Sequence, residues 1–223
     1  MDLLEFAVNQ GLMPISETSQ LVKSNLLISA ARSLPVEQSR IIHYALASIN
    51  SKQKNPGYID IFSSEYAKLY ALNRTTAWKN LKSDIKALQK EPFEIKGPPG
   101  SNAVWSISWL SDFAYINDDD ANGGRLKLRF SEAISPFLFE LKNNFTVLHL
   151  EHTKQLHKVP MARSIYERLV AYANKETGIA KGHSGILPDK LYTFEFTVEL
   201  LREIGGYEDS YPTWSRFKDK IID

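Results

Sequence analysis

Between residues 75 and 130 the spacing of apolar side chains changes period once, and that change limits the possible folds more than any other feature. In Thr75–Lys90 (TTAWKNLKSDIKALQK), Trp78, Leu81, Ile85 and Leu88 recur at spacings of three and four, the period of one helix face. Lys79, Lys82, Lys86 and Lys90 repeat the same spacing one position later, so a basic stripe adjoins the apolar one. Taken alone, such a stripe is more often a solvated helix face, because surface lysines are common. Beyond it the period becomes two. Phe93–Lys96 reads as a short strand, and Gly97-Pro98-Pro99-Gly100 is a break. Val104–Trp109 alternates with Trp105, Ile107 and Trp109 on one face. In Arg125–Phe130 (RLKLRF), Leu126, Leu128 and Phe130 point inward and Arg125, Lys127 and Arg129 outward.

The residues before the stripe complete a familiar order. Leu21–Ser33 reads as an amphipathic helix ended by Pro35, and Val36–Ile49 as a second helix with Ile41, Ile42, Ala45, Leu46 and Ile49 on its apolar face. Asn55-Pro56-Gly57 forms a turn, and Tyr58–Phe62 (YIDIF) alternates as a strand. Ser63 is placed to cap a brief helix over Ser64–Ala71, with Tyr66, Ala67, Leu69 and Tyr70 as its apolar contacts. Leu72-Asn73-Arg74 is then a tight turn in which Asn73 is able to take a left-handed conformation. Helix, turn, helix and hairpin follow one another as in a winged helix, with the lysine-striped helix in the recognition position.

The same order returns near the C-terminus. Val159–Lys175 is a strong helix, Gly178–Pro188 a glycine-rich loop, Leu191–Phe194 a strand candidate, and Phe196–Ile204 a short helix stopped by Gly205-Gly206. Ser210 and Pro212 open a last helix in which Trp214, Phe217 and Ile221 form the buried stripe. Thr213, Arg216 and Lys220 lie on the other side, with Lys218 between them. The fold class is therefore α+β, with a basic, aromatic-backed helix in each of two units, a pattern that points to duplex DNA.

Composition narrows the remaining options. The 223 residues carry a net charge of +1, so any nucleic-acid contact must come from local patches rather than a basic tail. Without cysteine there are no disulfides and no thiolate zinc sites. The opening MDLLEFAVNQGLMPI has acidic residues and no sustained apolar run, unlike a signal peptide, and no stretch is long and apolar enough to span a bilayer. A cytoplasmic protein with no membrane partner is expected.

Three chemistries are weighed and set aside. Asp118–Gly123 (DDDANG) matches the first half of a calcium loop, but the twelfth position is Arg129 instead of a bidentate Glu, which leaves a solvated hairpin tip. His149, His152 and His157 lack zincin spacing and a completing ligand. No pair of histidines sits one residue apart, as a nicking enzyme would need, and no glycine-rich loop ends in Lys-Ser or Lys-Thr as in an ATPase. No metal, cofactor or catalytic residue is expected.

Several segments together resemble iteron-binding plasmid replication initiators. They are Leu21-Val22-Lys23-Ser24-Asn25, Leu34 with Gln38 and Arg40, and Phe145-Thr146 through Leu150 followed by Arg163-Ser164-Ile165-Tyr166-Glu167-Arg168-Leu169. The similarity runs from about Leu21 to the C-terminus, and the order of the segments carries it. The resemblance implies two tandem winged-helix domains, monomers that bind repeated origin sites for theta-type replication, and dimers that repress the initiator's own promoter. It further implies no catalytic activity, a first winged helix that also dimerises, and host replication proteins and chaperones as further partners. The sheet bearing Arg125–Phe130 is the candidate self-association surface.

One departure from the family pattern is expected. The chain stops at Asp223, so the second unit has its reading helix and lacks its wing hairpin, as in a fragment of a longer protein. The expected division is residues 1–20 as an N-terminal arm, 21–146 as the first winged helix and 147–223 as the second. The expected DNA contacts are Arg74, Thr75, Thr76, Lys79, Asn80, Lys82 and Lys86 in the first unit, with Thr213, Arg216, Lys218 and Lys220 in the second. Arg216 is the favoured base contact, because a guanidinium can bond guanine bidentately. Two other functions use the same features: a dimeric winged-helix repressor with no role in replication, and a protein-interaction module whose lysines are merely solvated.

Overall fold

A computed structural model of the chain describes residues 15, 16, 18–30, 34–52, 54–96, 102–117, 124–156, 159–177, 193–205, 207 and 213–222. Its first half is built on one antiparallel sheet. Strand β2 (Tyr58–Phe62), introduced by a turn in which Asn55 Oδ1 accepts from the Gly57 N–H at 2.9 Å, pairs with β6 (Arg125–Phe130), and β6 pairs with β5 (Leu110–Ile116). The alternation in RLKLRF sets the register, because a slip by one residue would turn Leu126, Leu128 and Phe130 to solvent. All three are buried, Leu128 and Leu126 opposite Ile59 and Ile61 of β2 and Phe130 opposite Leu110 of β5.

Helices α2 (Val36–Ala47), α3 (Ser63–Leu69) and α4 (Arg74–Lys90) cover the inner face of this sheet. Ile41, Ala45 and Leu46 from α2 and Leu81, Ile85 and Leu88 from α4 are all fully or almost fully buried there. A small hairpin, β3 (Phe93–Lys96) with β4 (Val104–Ile107), lies between α4 and β5 in sequence and pairs only with itself among the described strands.

A second layer joins the two ends of the family-like segments. Strand β1 (Gln20–Ser24) leads into α1 (Asn25–Ala30) and pairs antiparallel with β7 (Phe145–His149), from Gln20 opposite His149 to Ser24 opposite Phe145. After β7 come α5 (Leu150–Gln155) and the long α6 (Pro160–Thr177), which packs on α1 and β7. The last helices are α7 (Val198–Gly205), against α6, and α8 (Trp214–Ile222). Strand β7 crosses the division expected between residues 146 and 147.

Several local expectations are corrected. Leu21–Ser24 is strand rather than helix, because β7 supplies hydrogen-bonding partners more than 120 positions away. This strand turns Lys23 inward, where a helix would have placed it on a polar face. Ser63 is the first residue of α3 and not its cap, a position taken by Phe62 in extended conformation. Asn73 is not left-handed: at φ −64° and ψ 133° it is the N-cap of α4, and Ala71 at φ 51° makes the reversal.

The faces of some elements also differ from expectation. Trp105 is 65% exposed while Trp109 is buried against the Phe93 ring, since β4 ends at Ile107 and the two tryptophans no longer share a strand. Arg125 and Lys127 are half-buried around the Asp60 carboxylate, so the outer face of β6 is not an open basic surface. Strand β5 is absent from the sequence reading, and residues 193–197 form no strand. The Gly97–Gly100 break, the Asp118–Gly123 tip, the Gly178–Pro188 loop, Leu191, Gly206, Ser210, Pro212 and residues 1–14 of the N-terminal arm lie outside the described residues.

Candidate nucleic-acid interface

The site begins with a reversal between two helices. At the end of α3 the Leu72 N–H donates to the Ala67 carbonyl at 2.8 Å, and the chain re-enters helix at once. Asn73 Oδ1 accepts from the N–H groups of Thr75 and Thr76 at 3.1 and 3.3 Å, which satisfies donors that a first helical turn leaves over. Ala77 is buried beneath this turn, so the Thr75 and Thr76 side chains face solvent.

From there the buried line Ala77, Leu81, Ile85, Leu88 fixes the rotation of α4 and leaves the cations outward. Arg74, Lys79, Lys86 and Lys90 are exposed, while Asn80 and Lys82 are half-buried. Five basic residues stand against one acid, Asp84, between residues 74 and 90. Burial pushes the Asp84 carboxyl above its ordinary pKa.

The β5–β6 hairpin closes one side of this helix and is therefore its wing. The Tyr115 hydroxyl donates to the Lys82 carbonyl at 2.9 Å, and the Tyr115 ring stands edge-on to Trp78 with centroids 6.3 Å apart. Lys82 Nζ lies 5.0 Å from the Trp78 ring centroid and Lys86 Nζ 5.7 Å from that of Tyr115, which gives both ammonium groups cation–π support. Gly124, at φ +106°, opens β6 where a Cβ would come within 2.9 Å of the Trp78 ring. The basic stripe thus runs along α4 and into the groove beside the wing.

The second basic helix is held differently. Phe217 is fully buried, with Tyr207 at 6.3 Å between ring centroids and the Arg202 guanidinium 5.3 Å from the Phe217 ring. Trp214 is 51% exposed, so the expected three-residue buried stripe reduces to Phe217 among the described side chains. Thr213, Arg216 and Lys218 are exposed beside it. The side chains of Lys220 and Ile221 lie outside the described residues. The predicted DNA contacts therefore fall into two sets, one on the α3–α4 pair with its wing and one on the α7–α8 pair.

Two groups of residues escaped the sequence reading. Tyr115 and Gly124 could have been found only by recognising β5, whose opening is interrupted by a bulge between Leu110 and Asp112. Lys23, His43 and Glu167 meet in the interior, with Lys23 Nζ 2.8 Å from one Glu167 oxygen, and no short-range motif announces that meeting. Elsewhere, His149 and His152 have ring centroids 5.3 Å apart and His152 Nδ1 lies 2.9 Å from the Tyr166 hydroxyl, while His157 is outside the described residues. Among the described residues no group of three or more His, Asp or Glu gathers at metal-binding distance, and no helix is long and apolar enough to cross a membrane.

A helix-turn-helix followed by a hairpin that rejoins the strand before it defines a winged-helix protein. The chain belongs to the family described as Initiator Replication protein, WH1, whose profile matches residues 20–170, from β1 into α6. It is 26% identical over 210 residues to a replication initiation protein of Escherichia coli, an alignment that takes in 92% of this chain and 60% of that protein. The chain thus spans about three-fifths of that relative's length. It is also 26% identical over 241 residues to the PI protein of Escherichia coli, covering 95% of this chain and 73% of the relative. The fold matches the crystal structure of Pi initiator protein in complex with iteron DNA, with a TM-score of 0.70 over 94% of this chain and 84% of the other at 19% identity.

Proposed function

We propose that the chain acts in plasmid replication initiation by binding repeated origin sequences as a monomer, and represses its own promoter as a dimer. The observation that carries this reading is α4: a capped, wing-supported recognition helix with four exposed cations and no exposed acid among them. Lys79, Lys82 and Lys86 contact phosphates and fix the register. Thr75, Thr76 and Asn80, in the first two turns, face base edges. Helix α8 reads a second major-groove segment about one helical turn away, with Arg216 on guanine and Lys218 and Lys220 on the backbone.

Binding, not covalent chemistry, is the proposed mechanism, and no cofactor takes part. The first unit carries dimerisation and backbone contacts, and the second carries repeat reading. Replication proteins and chaperones of the host are proposed as further partners, in the cytoplasm. The family membership and the relatives' descriptions support the assignment to replication over a general repressor. Footprinting on the plasmid that encodes the chain tests it. Protection of several direct repeats at the origin is the expected result, and protection of a single inverted repeat alone would make the protein a repressor.

A further inference from the structure

Four charged or titratable side chains converge where α6 meets β1 and α2. Lys23 Nζ donates to both Glu167 oxygens at 2.8 and 2.9 Å, and His43 Nε2 lies 3.2 Å from Lys23 Nζ and 3.2 Å from Glu167 Oε1. Arg163, one turn before Glu167 on α6, is also buried. Its Nη2 donates to the Leu34 carbonyl at 2.7 Å, but its Nη1 has no hydrogen-bond partner. The buried Trp109 Nε1 has none either. Arg163 and Trp109 both line a cavity of about 30 Å³, together with Lys23, Ser39, His43 and Glu167. A single water needs roughly 10–15 Å³ on this measure, so the space holds one or two particles of that size.

The charges around this cavity do not balance. Burial, with Lys23 beside it, lowers the His43 pKa to about 4, so its imidazole is neutral at pH 7. Lys23 spends its ammonium on both Glu167 oxygens, so the Arg163 guanidinium, a group that stays protonated in proteins, has a carbonyl and no carboxylate as hydrogen-bond partner among the described residues. A water could satisfy the two idle N–H donors but would leave the extra positive charge uncompensated, and buried charge without a partner is costly. We infer that the cavity is a site for one monovalent, halide-sized anion, held by Arg163 Nη1 and Trp109 Nε1. The anion ties α6 to the first winged helix at a point away from α4 and α8, so it adjusts the stability of that junction without entering the DNA-facing sets.

Thermal unfolding of the chain in sodium bromide or chloride, against sodium glutamate at equal ionic strength, tests this. Glutamate is too large for the cavity. Wild-type protein should gain roughly 2–4 °C once halide reaches about five times its dissociation constant, and beyond that the gain should rise with the logarithm of halide concentration. Trp109→Phe keeps an aromatic side chain and removes the donor, so it should lose the gain; comparing the two proteins cancels bulk salt effects. Equal halide responses in both would overturn the site and leave a bound water. Should the variant fail to fold, diffraction from wild-type crystals grown in bromide decides, since an anomalous peak inside the cavity supports the site and a peak-free cavity refutes it.

Discussion

The Tyr115 hydroxyl, on the first strand of the wing, hydrogen-bonds the main-chain carbonyl of Lys82 in the middle of α4, 33 positions away in sequence. Together with the close packing of Trp78 on Gly124, this contact fixes the wing against the basic helix. Tyr115→Phe removes the bond and keeps the ring, so it should cost about 0.5–1.5 kcal/mol of stability. Gly124→Ala should cost more, about 1–3 kcal/mol, because alanine is strained at φ +106° and its Cβ meets the Trp78 ring. Urea unfolding of both variants checks the pair. An alanine variant as stable as the wild type would mean that the wing does not seat on Trp78.

On the other face of the same sheet, Asp60 is almost completely buried and neither carboxylate oxygen has a hydrogen bond. Arg125 Nη1 at 3.7 Å and Lys127 Nζ at 3.5 Å neutralise it. Lys127→Glu should therefore destabilise the domain by about 2–3 kcal/mol, as a like charge is brought beside a buried one. Asp60→Asn added to it should recover much of the loss. A Lys127→Glu protein of wild-type stability would show that Asp60 is solvated.

Acid should loosen the junction beneath α6. His43 has a pKa of about 4 in the fold against 6.5 ordinarily, so the unfolded chain binds more protons between those values. The contribution is complete above pH 6.5 and is lost as pH falls toward 4. At about 1.36 kcal/mol per pH unit this amounts to something on the order of 3 kcal/mol. Glu167 acts in the same sense lower down: burial opposes its ionisation, but Lys23 and His43 outweigh that and hold it below the usual carboxylate range. Its share is present above pH 4.5 and is lost below. Stability measured from pH 7 to pH 4 should flatten in His43→Gln, and an unchanged slope would remove His43 from the account.

Arg216→Ala should reduce the preference for repeat DNA over random DNA more than it reduces general affinity. The buried Phe217 fixes α8 so that Arg216 is exposed. A bidentate guanine contact is worth about 1–3 kcal/mol of discrimination, so the ratio of specific to random affinity should fall roughly ten- to a hundredfold. Competition between a repeat duplex and a scrambled one measures it, and equal losses on both would make Arg216 a phosphate anchor.

What the sequence discloses follows the range of the interactions involved. The 3.6 period of α4 and the alternation of β2 and β6 are local, and the structure keeps all three nearly residue for residue. Leu21–Ser24 reads as helix because its apolar spacing fits one, and only the distant β7 makes it a strand. Asn73 is a turn-former by type, yet its side chain caps α4 while Ala71 bends the chain. The lysine stripe is legible for the same reason as the helix. Its seating on Trp78 and Tyr115 is not, because that requires β5 to fold back from beyond residue 110.

The most direct test of the central claim is the salt dependence of DNA binding by wild type and by Lys79→Ala/Lys82→Ala/Lys86→Ala. If these lysines neutralise phosphates, each lost contact flattens the log affinity against log salt plot by about 0.9, so the triple variant should lose about 2.7 of slope. The loss should be the same on repeat and on random duplexes, with an unchanged far-ultraviolet circular dichroism spectrum. A triple variant with the wild-type slope would contradict the account, because α4 would then lie outside the DNA interface.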